Sequence, residues 1–271
     1  MVNMLKIGLL GTFLFLWACT QASPVELEEV PFSEPSYHPR EEAVLPQEII
    51  VPEPVPNPVP NPVQFCGQAD HAGASILSDE EALSYLALVN RCQRASNSFE
   101  PRDLSPVNVE SLRVRGGTHH LMRSTAARAV EDMFQEAALA GHRIIASSGY
   151  RSYELQTLFF YHWVSRYGRA EAMRFSAVPG HSEHQLGLAL DLSTVEFAGG
   201  LYGAFITTPE GLWVRDNAHR FGFIVSYPEG REAETGFIYE PWHIRYVGVE
   251  AATIIYENNW ILEEYLWYQE G

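Results

Sequence analysis

From Val51 to Val63 every second residue is proline. Proline removes a backbone donor, fixes its own φ and pushes its predecessor toward extended structure. This stretch can belong to no helix and no central strand, and polyproline II is the expected state. The pattern extends backward in diluted form. Residues 24–63 hold 11 of the chain's 17 prolines and eight glutamates against one basic residue, Arg40. Such a segment acts as a semi-rigid spacer, so any core must be built from residues 65–271. That length is sufficient for one substantial domain. The composition agrees, with 46% hydrophobic and 19% charged residues.

Ahead of the spacer, Lys6 precedes an apolar run from Ile7 to Trp17. The run is short for a membrane span and fits the core of an export signal, expected over residues 1–22. It ends in Leu16-Trp17-Ala18-Cys19, which resembles a lipobox whose cysteine is lipidated, although Trp17 is bulky for its position. Ordinary cleavage after Ala22 is the alternative. Both place the mature chain in the extracytoplasmic envelope, as a lipoprotein on a stalk or as a periplasmic or secreted protein. With Cys19 carrying lipid, Cys66 and Cys92 remain as a candidate disulfide in an oxidising space. Two separate thiols are the other possibility. The net charge of −16 argues against nucleic acid and against a polybasic membrane patch.

Within 65–271, Ser78-Asp-Glu-Glu81 reads as a capping box opening a helix through Leu83, Leu86 and Val89. A second helix is expected from Thr125 to Ala140, with Ala126, Val130, Met133, Phe134 and Ala137 on one face and Gly141 as its stop. Arg143–Ser147 reads as a strand, with Gly149 allowing a sharp turn after it. A third helix is expected from Tyr153 to Tyr167. Leu188–Leu192, Phe223–Ser226 and Ile244–Val247 read as further strands. Thr208-Pro209 opens a helix that ends near Gly222, and Val249–Tyr256 forms another. Helices precede and interrupt short strands without a regular βαβ rhythm, so the fold class is α+β.

Three segments carry chemistry. They are Ser147-Ser-Gly-Tyr-Arg151 with Gln156 downstream, Ser182-Glu-His184-Gln-Leu-Gly187-Leu-Ala189-Leu-Asp191, and Glu240-Pro-Trp-His243. Catalytic zinc takes three protein ligands and keeps one position open. His184, Asp191 and His243 could supply such a set. Hydrolysis also needs a carboxylate that is not a ligand, to take a proton from water and pass it to the leaving amine. Glu240 is the candidate, and because Pro241 biases it toward extended backbone, a turn must bring it beside His243. Arg151 can grip a carboxylate or a developing oxyanion. His181, beside the metal motif, is either a competing ligand or a residue that supports one. Trp242 either walls the cleft or belongs to the core.

These motifs resemble the VanY-like zinc D-alanyl-D-alanine carboxypeptidases, relatives of the hedgehog-type zinc peptidases. The family pattern Ser-x-His-x-x-Gly-x-Ala-x-Asp is met from Ser182 to Asp191, Glu-x-x-His by Glu240 and His243, and Ser-Gly-Tyr-Arg-Ser from Ser148 to Ser152. Leu212-Trp213 and the run from Asn217 to Phe223 fit a further stretch. The resemblance covers about residues 85–250 and implies a small, mostly antiparallel sheet flanked by helices. It implies zinc on His184, Asp191 and His243, and Glu240 as general base and then acid. Arg151 would bind substrate and stabilise the oxyanion, with Gln156, Ser148 and Ser182 positioning the peptide. The implied partner is a peptidoglycan stem ending in D-alanine, cut by a monomer. L,D-carboxypeptidase activity on tetrapeptide stems is one alternative. A non-catalytic, zinc-containing wall-binding module is another, disfavoured by the retained Glu240.

Overall fold

Four short antiparallel strands form the main sheet of the computed structural model, which describes residues 71–111 and 117–270. In chain order the strands are β1 (Ser75–Ile76), β2 (Gln93–Arg94), β3 (Leu104–Pro106), β4 (Leu121–Arg123), β5 (Ile144–Ser148), β6 (Ala189–Thr194), β7 (Phe223–Val225) and β8 (His243–Tyr246). The helices are α1 (Asp79–Ala82), α2 (Ser124–Leu139), α3 (Tyr153–Tyr167), α4 (Arg169–Ala172), α5 (Pro209–Asn217), α6 (Glu232–Thr235), α7 (Val249–Asn258) and α8 (Leu262–Glu270). The main sheet runs in the order β5-β6-β8-β7, with every neighbouring pair antiparallel. β1 and β2 form a separate parallel pair, and β3 and β4 an antiparallel one. The expected α+β class with a small, mostly antiparallel sheet is therefore observed. The export signal, Cys19, the proline-rich spacer and Cys66 lie outside the described residues. Among the described residues no helix is long and apolar enough to cross a membrane.

Sequence and structure agree where one face of an element is buried. α2 buries Ala126, Ala127, Val130, Met133 and Ala137, with Phe134 partly buried against the same core. β6 is buried at all six positions, because other chain segments cover both faces of this central strand. Its Leu188–Leu192 region joins Ile144, Ala146, Phe223 and Ile244 in the main core. α3 starts at Ser152, whose hydroxyl accepts from the Leu155 N–H, and stops at Gly168 with φ +80°. α5 starts at Thr208, with Pro209 at the first turn as expected.

Two expectations are corrected. The helix opened by the Ser78–Glu81 capping box lasts one turn, Asp79–Ala82, rather than running to Val89. The cap is present, but the carbonyls of Tyr85 and Ala87 turn inward to accept from the Arg245 guanidinium at 3.1 and 2.8 Å. A tertiary hydrogen bond to a charged donor outcompetes the local helical one. Gly149 has no positive φ and is required for a different reason. A Cβ there would lie 2.5 Å from the Leu121 carbonyl oxygen, so the glycine allows the backbones to approach. The C-terminal α8, which packs Leu262 and Tyr265 against α7, was not anticipated.

Candidate metal centre and active site

Strand register assembles the site. Ser148 on β5 stands opposite Asp191 on β6, and Asp191 stands opposite His243 on β8. Residues far apart in sequence thus lie in one row across three strands. A register shift between Ala146 and Ser148 brings Ser148 into that row. His184 enters from a 3-10 turn, Glu183–Leu186, that ends at Gly187 with φ +67°. A side chain at Gly187 would be strained by that φ and would press on Leu104 at 2.9 Å. Glu240 enters from the turn before β8, closed by the His243 N–H donating to the Glu240 carbonyl at 3.1 Å. The Glu240 N–H donates to the Tyr227 carbonyl at 3.0 Å. Pro241 therefore sits in a turn that carries both groups to one place.

His184, Asp191 and His243 are all buried, and one ligand atom from each lies within 4.8 Å of the others. The His184 Nε2 is 3.3 Å from Asp191 Oδ2, and the His243 Nδ1 is 3.0 Å from Asp191 Oδ1. The remaining nitrogens are occupied. His184 Nδ1 donates to the Gly149 carbonyl at 2.8 Å, which leaves Nε2 with its lone pair. His243 Nε2 lies 2.8 Å from Glu183 Oε2, which leaves Nδ1 for the cluster. Two imidazole lone pairs and one carboxylate, with their outer atoms already bonded, are a donor set that fits zinc.

The electrostatics agree with a site built for positive charge. In the metal-free site burial pushes His243 down, but the Asp191 and Glu183 carboxylates outweigh it and raise the imidazole to about 10, so a bound metal would have to displace the proton from Nδ1. Burial also works to raise Asp191, but His184 and His243 outweigh it and hold that carboxyl well below its ordinary range. Glu240 is buried without such compensation, and burial raises it to about 8, against the pull of His243 and Arg151.

Arg151 leaves β5 beside this cluster. Its Nη1 donates to Gln156 Oε1 at 2.7 Å, its Nη2 donates to Ser148 Oγ at 3.3 Å, and Nη2 lies 3.7 Å from Asp191 Oδ2. Gln156 is fully buried and donates its amide to the Ala177 carbonyl at 2.6 Å, so its Oε1 is fixed as a brace for the Arg151 guanidinium. Ser182 is buried at the start of the 3-10 turn. His181 is outside the cluster. Its Nδ1 bonds the Asn90 carbonyl at 2.6 Å and its ring meets His71 edge-on. Trp242 belongs to the core. Cys92 is disulfide-bonded.

Three residues that sequence reasoning passed over surround His243. They are Glu183, Arg245 and Tyr227, whose ring stacks on His243 at 4.9 Å. Arg245 carried a usable signal. It lies two residues beyond His243 on a buried strand, hence on the same face, and a buried arginine requires an acid.

A buried His-Asp-His cluster beside a separate buried glutamate and an arginine defines the class: a metal-dependent peptidase site. The model of the family VanY, D-alanyl-D-alanine carboxypeptidase, matches residues 119–249. The solved structure of LdcB, an LD-carboxypeptidase, is 41% identical with a TM-score of 0.68, covering 72% of this chain and 90% of that one. The chain belongs to the VanY family. The zinc(II) complex of a point mutant of the D,D-pentapeptidase VanY from a VanB-type resistance cassette is 34% identical with a TM-score of 0.58, covering 67% of this chain and 98% of that one. YodJ of Bacillus subtilis, a carboxypeptidase by name, is 43% identical over 180 residues. The match covers 66% of each of these two chains, just under two thirds of YodJ's length.

Proposed function

We propose that this chain is a zinc-dependent D,D-carboxypeptidase that removes the terminal D-alanine from peptidoglycan stem peptides. The observation that supports it most is the convergence of His184 Nε2, Asp191 and His243 Nδ1 with Glu240 beside them but outside the ligand set. His184, Asp191 and His243 would hold the metal. Zinc, when bound, supplies Lewis-acid polarisation of the scissile carbonyl and acidifies water. Glu240 takes a proton from the water that attacks the peptide carbonyl. It returns that proton to the amine of the departing D-alanine, leaving a new carboxylate on the stem. The Glu240 carboxyl, buried beside His243 and outside the ligand set, is placed to hold the proton in transit. Arg151, held in place by Gln156, grips the negative charge of the substrate and of the tetrahedral oxyanion. Ser148 and Ser182 border the site and help to position the peptide.

L,D-carboxypeptidase activity on tetrapeptide stems is the second reading, favoured by the likeness to LdcB. In either case the N-terminal segment serves as the export signal, cut before a lipidated Cys19 or, in simple secretion, after Ala22. Residues 24–63 form the stalk, residues 65–271 form the catalytic domain, and Cys66 is the partner of Cys92.

Glu240→Gln tests the assignment. It keeps the size of the side chain and the metal ligands. We expect zinc at wild-type stoichiometry and loss of turnover on pentapeptide stems. Activity close to wild type would remove Glu240 from its role.

A further inference from the structure

His243 is gripped on the side away from the cluster. Glu183 Oε2 accepts from His243 Nε2 at 2.8 Å and from the Ser226 hydroxyl at 2.6 Å. The other oxygen, Oε1, accepts from Arg245 Nη1 at 2.9 Å. Arg245 is fully buried, with Nε donating to the Tyr246 carbonyl and Nη2 to the carbonyls of Tyr85 and Ala87. Every polar atom of this Arg245–Glu183–His243 chain thus has a partner.

Stability alone is a weak reason for such a chain, because a well-packed apolar replacement of a buried ion pair is often neutral or better. Its geometric effect on the imidazole is specific. A carboxylate can only accept, so the proton of neutral His243 is kept on Nε2 and the lone pair is kept on Nδ1, facing Asp191. The stacked Tyr227 ring restricts rotation out of that plane. Arg245 in turn fixes the Glu183 carboxylate and ties it to the 85–87 backbone.

We propose that Glu183, braced by Arg245 and Ser226, is a positioning residue that presets His243 for metal binding through Nδ1. A further consequence is that Arg245 makes metal affinity depend on the docking of the Tyr85–Ala87 segment. This rests on His243 being a ligand, as proposed above.

The test uses the full-length chain, with zinc affinity measured by chelator competition and ligand geometry by the visible spectrum of the cobalt(II) form. Partners that orient a metal-bound histidine typically contribute 10–100-fold in affinity. Glu183→Ala is expected to weaken zinc binding by about that factor and to alter the cobalt spectrum. Glu183→Gln keeps an acceptor oxygen for Nε2–H and should recover part of the loss, which a role in packing alone would not explain. Ser226→Ala, which removes a single brace, covers the case in which Glu183→Ala does not fold, and should weaken zinc binding by a smaller factor. Wild-type zinc affinity and an unchanged cobalt spectrum in folded Glu183→Ala, or in Ser226→Ala where that variant must stand in, would overturn the proposal. His243→Ala run in parallel separates the two levels. If it retains wild-type zinc affinity, the ligand assignment itself fails and the positioning role with it.

Discussion

Gly149→Ala probes how the sheet edge supports the candidate metal ligand His184. A methyl group at this position would stand 2.5 Å from the Leu121 carbonyl oxygen and 3.0 Å from that of His119. Favourable carbon contacts lie at about 3.5–4 Å, so the two backbones must separate by roughly 1 Å. They are now joined by two hydrogen bonds, Gly149 N–H to His119 O at 2.8 Å and Tyr150 N–H to Leu121 O at 2.7 Å. Stretched by that amount, both pass beyond hydrogen-bonding distance. Two lost bonds at about 1 kcal/mol each, with overpacking strain at about 1–3 kcal/mol, give an expected destabilisation of about 3–5 kcal/mol. The Gly149 carbonyl also holds His184 Nδ1 at 2.8 Å, so zinc affinity should fall as well, by about 10-fold or more. Urea unfolding of the zinc-free chain measures the first effect, with the m-value unchanged if the denatured state is unaffected. Chelator competition measures the second. A folded variant with a wild-type midpoint and wild-type zinc affinity would refute the close-approach argument.

Arg151→Ala should lower kcat/KM about 10²–10³-fold, the usual cost of losing an oxyanion donor, while the chain still unfolds cooperatively. A product that fails to fold would mean that Arg151 serves structure first. A pH dependence of stability is expected from Glu263, whose carboxyl burial raises to about 7 and which accepts from the Asn90 amide at 3.4 Å. An acid raised in the folded state binds its proton more tightly there than in the unfolded chain. Its contribution is therefore intact below its ordinary range near 4.5 and is lost as pH rises through about 7. Glu263→Gln should leave the unfolding free energy unchanged at pH 4.5 and raise it at pH 8 by about 1 kcal/mol, a value reduced for the partial exposure of the side chain. Equal midpoints for the two proteins at pH 8 would count against a buried, proton-holding carboxyl.

The His184–Asp191–His243 cluster and Glu240 beside it were legible as candidates because their spacing reflects a local necessity. A turn ending at Gly187 must deliver His184, and a strand must then deliver Asp191. Helix α2 was legible because one face meets the core at helical period. The length of α1 was not, because the competing partner for its carbonyls, Arg245, lies about 160 residues away along the chain. The row Ser148–Asp191–His243 depends on pairing register, which a single strand does not carry. Glu183 occupies a position that the motif leaves unspecified and gains meaning only when His243 and Arg245 fold against it. Gly149 was recognised as necessary, but for a turn, whereas the constraint comes from the facing backbone of Leu121.

The most direct measurement is a mass-spectrometric digest of pentapeptide and tetrapeptide muropeptides by the full-length protein, with zinc and after its removal. We expect zinc-dependent loss of one alanine from the pentapeptide and none from the tetrapeptide. Loss from the tetrapeptide alone would transfer the assignment to L,D-carboxypeptidase activity. Loss from neither, with zinc present at one ion per chain, would refute carboxypeptidase activity on these stems.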